Sequence, residues 1–315
     1  MSPLSVFSDH AGAFDGAFNR SHFSFHHDLV GNPLFELGRL ADLSKTVNAS
    51  TRDNLNQYVL LKDAESVPNA SKQWENFKSP DRVHDSILNI RDSKAWVFIT
   101  GADIDPDYRN LLDEMLAGAE AVCGQPIRSE IIWSTLSILI GSPNSVTNFH
   151  IDTESNFLFQ IHGNKEAHLF DQNDRTVLRE EDIEALVTTG RSDIPYDPAF
   201  EASASVYDLS AGTGVHIPPY APHWVRNLSD YSITATALFY TRSATERAWI
   251  HQCNYLMRKA GLRPSSPGAT PWVDDVKSGL LSQLSTKRPV DKGDILRSGV
   301  RRLTAPARLL GAKVR

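Results

Sequence analysis

Cysteine is nearly missing from this chain of 315 residues: only Cys123 and Cys253 occur. Two thiols exclude a disulfide framework and suit a reducing compartment, so a cytoplasmic protein is expected. No run of about 20 apolar residues is present, which leaves no candidate transmembrane helix. The opening "MSPLSVFSDHAGAF" has neither a basic segment nor a continuous apolar stretch, so no secretory leader is expected. Self-similarity at the periods of solenoids and propellers is absent. Zinc-finger spacing and an aromatic-basic surface are also lacking, and no nucleic-acid partner is expected.

What the chain does have is the composition of a soluble globular protein, 41% hydrophobic and 9% aromatic. Its net charge of −6 is unevenly spread. From Lys287 onward nine Lys and Arg face only Asp291 and Asp294, a balance of +7, so the remainder carries about −13. Such a tail reads first as a solvated end.

Periodicity divides the chain into three regions. Over residues 1–125, "NPLFELGRLADLSKTV" carries a leucine stripe at three-residue steps, and "KAWVFITG" reads as a buried strand. "PDYRNLLDEMLAGAEAVCG" is an amphipathic helix opened by Pro106 and closed by Gly124. Strand patterns fill residues 126–243: 130–141, 147–152, 156–171, 204–218 and 223–241, with Gly163-Asn164 expected as a hairpin turn within the third. A polar insertion at 172–200 holds a short helix and shows no specificity motif. Over residues 244–315 helices return, ending in the basic tail. The fold expected is an all-β core, a double-stranded β-helix (jelly roll or cupin), with flanking N- and C-terminal helices.

One stretch, "SVTNFHIDTESNFLFQIHGNKEAHLFD", interrupts strand-like sequence with polar groups. His150 and Asp152 are two residues apart, so on a strand they share a face while Phe149 and Ile151 take the other. An imidazole beside a carboxylate supplies two corners of a facial triad for Fe(II). The third corner needs another histidine, and His162, His168, His216 and His223 are available. "GTGVHIPPYAPHWVRN" fits a second cupin motif by its spacing from Gly212 to Pro218, His223 and Asn227, which selects His223. Tyr220 stands where that motif has glycine. His162, His168 and His216 read as ordinary strand or rim histidines.

With these motifs the chain resembles the cupin-like Jumonji-C oxygenases, in the subgroup typified by the asparaginyl hydroxylase called factor inhibiting HIF. The resemblance is densest over "LIGSPNSVTNFHIDTESNFLFQIHGNKEAHLF" and "GVHIPPYAPHWVRN", and thins over about residues 20 to 245. It implies His150, Asp152 and His223 as iron ligands. It further implies Lys165 and Thr147 as partners of the distal carboxylate of 2-oxoglutarate, and Asn156 as an amide near its other end. From the residues alone, Lys165 reads first as a turn lysine after Gly163-Asn164. A second amide of the subgroup falls on Ala237 here, a departure bearing on cosubstrate choice. The resemblance also implies a homodimer through C-terminal helices, where Trp249, Cys253, Leu256, Met257 and Ala260 form an apolar stripe.

The function expected is an Fe(II)- and 2-oxoglutarate-dependent dioxygenase that uses O2 to hydroxylate a C–H bond of a protein or peptide side chain, or of a small molecule. The rival is a cupin acting as a binding or regulatory module. A third reading, a cupin isomerase or thiol-type dioxygenase, has no use for a lysine that neutralises a diacid.

Overall fold

The computed structural model describes residues 6–50, 58–64, 68, 80–190 and 194–284. The basic tail lies outside them. Strands β1 (Phe23–His26), β2 (Tyr58–Asp63) and β3 (Ala95–Thr100) alternate with helices α1 (Leu37–Ala49) and α2 (Pro80–Leu88). Then come α3 (Pro106–Cys123), α4 (Ile127–Glu130) and the long β4 (Ile131–Gly141). The barrel continues through β5 (Val146–His150), β6 (Ser155–His162) and β7 (Lys165–Leu169). After α5 (Glu180–Thr189) it resumes with β8 (Ser205–Leu209), β9 (Thr213–Ile217), β10 (His223–Asn227) and β11 (Ser232–Thr241). Helices α6 (Arg242–Lys259) and α7 (Pro271–Leu284) follow. None of the described helices is long and apolar enough to cross a membrane.

The described residues up to 172, with 195–239, make one compact unit, and those of 173–190, 194 and 240–284 a second. In the first, two antiparallel sheets form the core. One runs β1-β9-β6-β11-β4-β3-β2 and the other β5-β10-β7-β8. From β4 to β11 the chain passes back and forth between them, the jelly-roll pattern expected from the sequence.

Gly163-Asn164 does not close a hairpin. β6 pairs with β9 and β11, whereas β7 pairs with β10 and β8, so the turn is a corner between sheets. Glycine is required there: φ is +76°, and a Cβ would sit 2.1 Å from the Tyr231 carbonyl oxygen.

Alternation along each strand gives the sheets two different faces. Phe157, Phe159 and Ile161 of β6 and Ala235, Ala237 and Phe239 of β11 enter the main apolar core with Leu112, Met115 and Ile138. Phe7 meets Phe157 and Phe159 edge-on at 5.8 and 5.3 Å, a geometry favoured by ring quadrupoles. Gly214 lets Phe25 close over β9, since a Cβ there would lie 2.3 Å from that ring. The opposite face of β6 turns Leu158 into a smaller interior cluster with Ala167, Leu169, Val215, Ile217 and Val225. That interior holds the polar residues discussed next.

Local signals explain the helix ends. Asp105 accepts a hydrogen bond from the Asp107 amide at the start of α3, with Pro106 in the first turn. Thr241 does the same for Ala244 at α6. In the second unit, Trp249 and Cys253 of α6 pack on Leu281 of α7.

Candidate active site

His150 ends β5, and Asp152 lies two residues beyond it, in the turn to β6 rather than on the strand. The Tyr220 amide donates to the Asp152 carbonyl at 2.7 Å, tying this turn to the one before β10. Tyr220 has φ of +67°. The position therefore demands the left-handed conformation that glycine would supply, and a buried tyrosine adopts it instead.

His223 opens β10 directly opposite His150. The two rings lie 4.2 Å apart between centroids. His150 Nε2 is 3.8 Å from Asp152 Oδ1, and His223 Nε2 is 3.8 Å from Asp152 Oδ2. One ligand atom from each of the three falls within 4.8 Å of the others.

The tautomers are fixed by backbone acceptors. His150 Nδ1 donates to the Asn148 carbonyl at 2.6 Å, and His223 Nδ1 donates to the Ala221 carbonyl at 3.0 Å. Both Nε2 lone pairs are thereby left toward Asp152, the state a metal requires. Burial, and next the neighbouring His150, hold His223 neutral, its pKa pushed down to about 4. Two imidazole nitrogens and one carboxylate suit a divalent first-row metal.

Lys165 begins β7 and is 1% exposed. Its Nζ donates to Thr234 Oγ1 at 2.5 Å. Among the described residues no carboxylate pairs with it, and burial pushes its pKa down to about 7. Thr147 sits opposite Val225 on the interior side and accepts a hydrogen bond from Trp96 Nε1 at 3.0 Å. Asn156 is buried, and its Oδ1 finds no donor among the described residues. A buried lysine facing no carboxylate and an unsatisfied amide oxygen fit a bound polar molecule better than a closed core.

Ala237 does not face this interior. It lies in the main apolar core, and the residue of β11 opposite Asn156 is Leu238. Leu238, not Ala237, therefore shares the face of Asn156.

The other histidines have structural partners. His216 donates from Nδ1 to the Asn156 carbonyl and accepts the Asn19 amide at Nε2, among Phe18, Phe23 and Phe157. His162 stacks on Tyr231 at 4.1 Å. His168 stacks on Trp224 at 3.9 Å and bonds Glu201, which also accepts from Trp224 and Tyr196. The sequence reading missed this Glu201 hub, because nothing in its spacing marks it.

A second cluster, Glu180, Glu184 and His251, occupies the other unit. Arg175 already pairs with Glu180 and Arg258 with Glu184, so the charge a cation would neutralise is spent.

A family model described as the cupin-like domain matches residues 19–246. JmjC domain-containing protein A of Dictyostelium discoideum is 29% identical over 203 residues, 62% of this chain and 77% of that protein. Among solved structures, E. coli ycfD aligns at 11% identity with a TM-score of 0.46, covering 87% of this chain and 67% of that one. YcfD, a ribosomal oxygenase from Escherichia coli, in complex with cobalt and 2-oxoglutarate aligns at 11% identity and a TM-score of 0.43 over 87% of this chain and 65% of that one. The chain belongs to the cupin-like domain family, and its paired antiparallel sheets are a cupin core.

Proposed function

We propose that this chain is an Fe(II)- and 2-oxoglutarate-dependent oxygenase that hydroxylates a C–H bond of a protein or peptide side chain, or of a small molecule. Lys165 carries the reading. A buried ammonium with only a neutral hydroxyl beside it is costly, and an arriving carboxylate offsets that cost. It shares its interior with His150, Asp152 and His223, which would hold the metal.

Each group then has a task. His150 and His223 offer neutral Nε2 atoms, and Asp152 adds one negative charge. Lys165 and Thr147 orient the distal carboxylate of the 2-oxo acid through charge-assisted and neutral hydrogen bonds. Asn156 offers its amide toward the cosubstrate's other end. Leu158, Leu169, Ile217 and Val225 keep water from the interior. When bound, iron with 2-oxoglutarate and O2 supplies C–H oxidation coupled to loss of carbon dioxide and release of succinate.

In this reading the protein works in a reducing cytoplasm, which its two free thiols tolerate. It is also a homodimer through its C-terminal helices. The α6 stripe is partly covered by α7, so the apolar face offered to a partner is on α7. There Trp272, Val276 and Leu280, four residues apart, are 70%, 54% and 57% exposed.

The test is succinate release from 2-oxoglutarate, with and without Fe(II), across peptide and small-molecule candidates. Fe(II)-dependent release that vanishes in Asp152→Ala is the expected result. Intact binding of metal and 2-oxoglutarate with no succinate formed under air would leave the binding-module reading instead.

A further inference from the structure

Behind Lys165 runs a buried chain of polar side chains with no part in the scheme above. Gln160 Nε2 lies 2.7 Å from the His162 carbonyl oxygen, 3.1 Å from that of Gly163 and 3.0 Å from Ser232 Oγ, sharing its two N–H groups among them. Thr234 Oγ1 lies 2.9 Å from Gln160 Oε1, and Lys165 Nζ reaches the same hydroxyl. Gln160, Thr234 and Ser232 are at most 1% exposed.

The proton directions from Gln160 through Thr234 to Lys165 are forced. Two backbone carbonyls can only accept, so the Gln160 nitrogen faces them and its oxygen faces Thr234. That oxygen also can only accept, so the Thr234 hydroxyl donates to it. The threonine is left with lone pairs alone toward Lys165, and it must accept from the amine. One N–H of Lys165 is thereby anchored. A four-carbon side chain that would otherwise lose much rotamer freedom on binding is already held in place.

We infer that Thr234, locked by Gln160, is a positioning residue that aims the Lys165 amine at the distal carboxylate of the 2-oxo acid. This rests on the function proposed above. The carboxylate engages the remaining N–H groups of Lys165, while Thr234 itself acts only through the lysine. Preorganisation of this kind strengthens binding by removing an ordering cost rather than by adding a contact.

The experiment is calorimetric titration of the Mn(II)-loaded full chain with 2-oxoglutarate and, separately, with 2-oxovalerate, which has a methyl in place of the distal carboxylate. The native protein is expected to prefer the diacid at least about tenfold. Thr234→Val should cut that preference about tenfold, chiefly by weakening 2-oxoglutarate, whereas Thr234→Ser should retain it. In a Lys165→Met background, Thr234→Val should change nothing further, since the two act as one unit. Should Thr234→Val fail to fold, Thr234→Ala removes the same hydroxyl without added bulk. An unchanged preference in the hydroxyl-less variant, or equal weakening of both acids, overturns the positioning role. A native protein that binds both acids alike overturns the assignment of Lys165 itself, a separate and recognisable failure.

Discussion

Thr147 and His150 stand three residues apart on β5, yet both face the barrel interior. Regular alternation would put them on opposite faces. The register explains the exception: His150 lies opposite His223 and Thr147 opposite Val225, so three steps on β5 match two on β10. One extra residue bulges, and the bulge re-aims a side chain next to the site. The Asn148 carbonyl within it receives the His150 Nδ1 proton. A single irregularity therefore delivers the threonine and also fixes the histidine tautomer.

Removing either Asp152 or His223 should abolish stoichiometric Fe(II) binding while the fold persists. Metal analysis of Asp152→Ala and His223→Ala, beside far-ultraviolet circular dichroism, checks this. Undiminished iron in both variants would refute the ligand set.

Lys165→Met should stabilise the protein without cosubstrate and weaken 2-oxoglutarate by roughly 1.5–3 kcal/mol, tenfold or more. Thr147→Val should weaken it less. The sign with pH follows from Lys165, whose folded pKa near 7 lies below its ordinary 10.5. Between those values the unfolded chain holds a proton that the folded chain has released, so native stability gains from this group as pH rises. Urea midpoints at pH 7 and 9.5 should show that gain in the native protein and not in Lys165→Met.

Buried histidines, His223 and His251 among them, add an acid limit of the same sign. Burial pushes His27 down to about 4 and His216 down to about 3. Their unfolded forms titrate near 6.5, so stability is lost as pH falls below that value. At pH 5 the loss is about 2 kcal/mol per group. His216→Gln should remove about 2 kcal/mol of the total loss, read as a shallower fall in urea midpoint from pH 7 to pH 5. An unaltered slope would show that His216 is charged in the fold.

Tyr220→Gly restores the residue type that the turn conformation favours, but it should still destabilise. Relief of left-handed strain returns about 1–2 kcal/mol, whereas deleting a ring that is 1% exposed costs about 3–5 kcal/mol. Thermal unfolding of the variant decides the sign.

Light scattering should find a dimer for the full chain, and a monomer for Trp272→Asp with Leu280→Asp. A native chain that remains monomeric at tens of micromolar, the scale on which an obligate interface holds together, ends the proposal.

The sequence made most of the core readable, because β4, β6, β9 and β11 are strand-forming runs bounded by clear turn residues. α3 was equally plain, with Pro106 and Gly124 at its ends. β1 and α4, each of four residues, are too short for a period to show. The Gly163-Asn164 corner was misread as a hairpin because a two-residue turn has the same local chemistry in both settings; only pairing partners separate them. In the site, His150 and His223 were visible from spacing, while Lys165 required the family resemblance. Thr234 and Gln160 were invisible. They are polar residues 74 positions apart, and only the pairing of β6 with β11 brings them together.

β10 pairs with β5 on one side and β7 on the other, so it works as a ruler. His223 marks one end, opposite His150, and Asn227 marks the other, opposite Lys165. Four residues at about 3.4 Å each fix the backbone separation at about 14 Å, from which the lysine and imidazole side chains reach inward. In the proposed function, the length of diacid accepted would be graduated in strand steps rather than adjusted by loops. Lengthening the turns on either side of β10 leaves the gauge unchanged, whereas a one-residue slip of the strand would turn its markings to the outside.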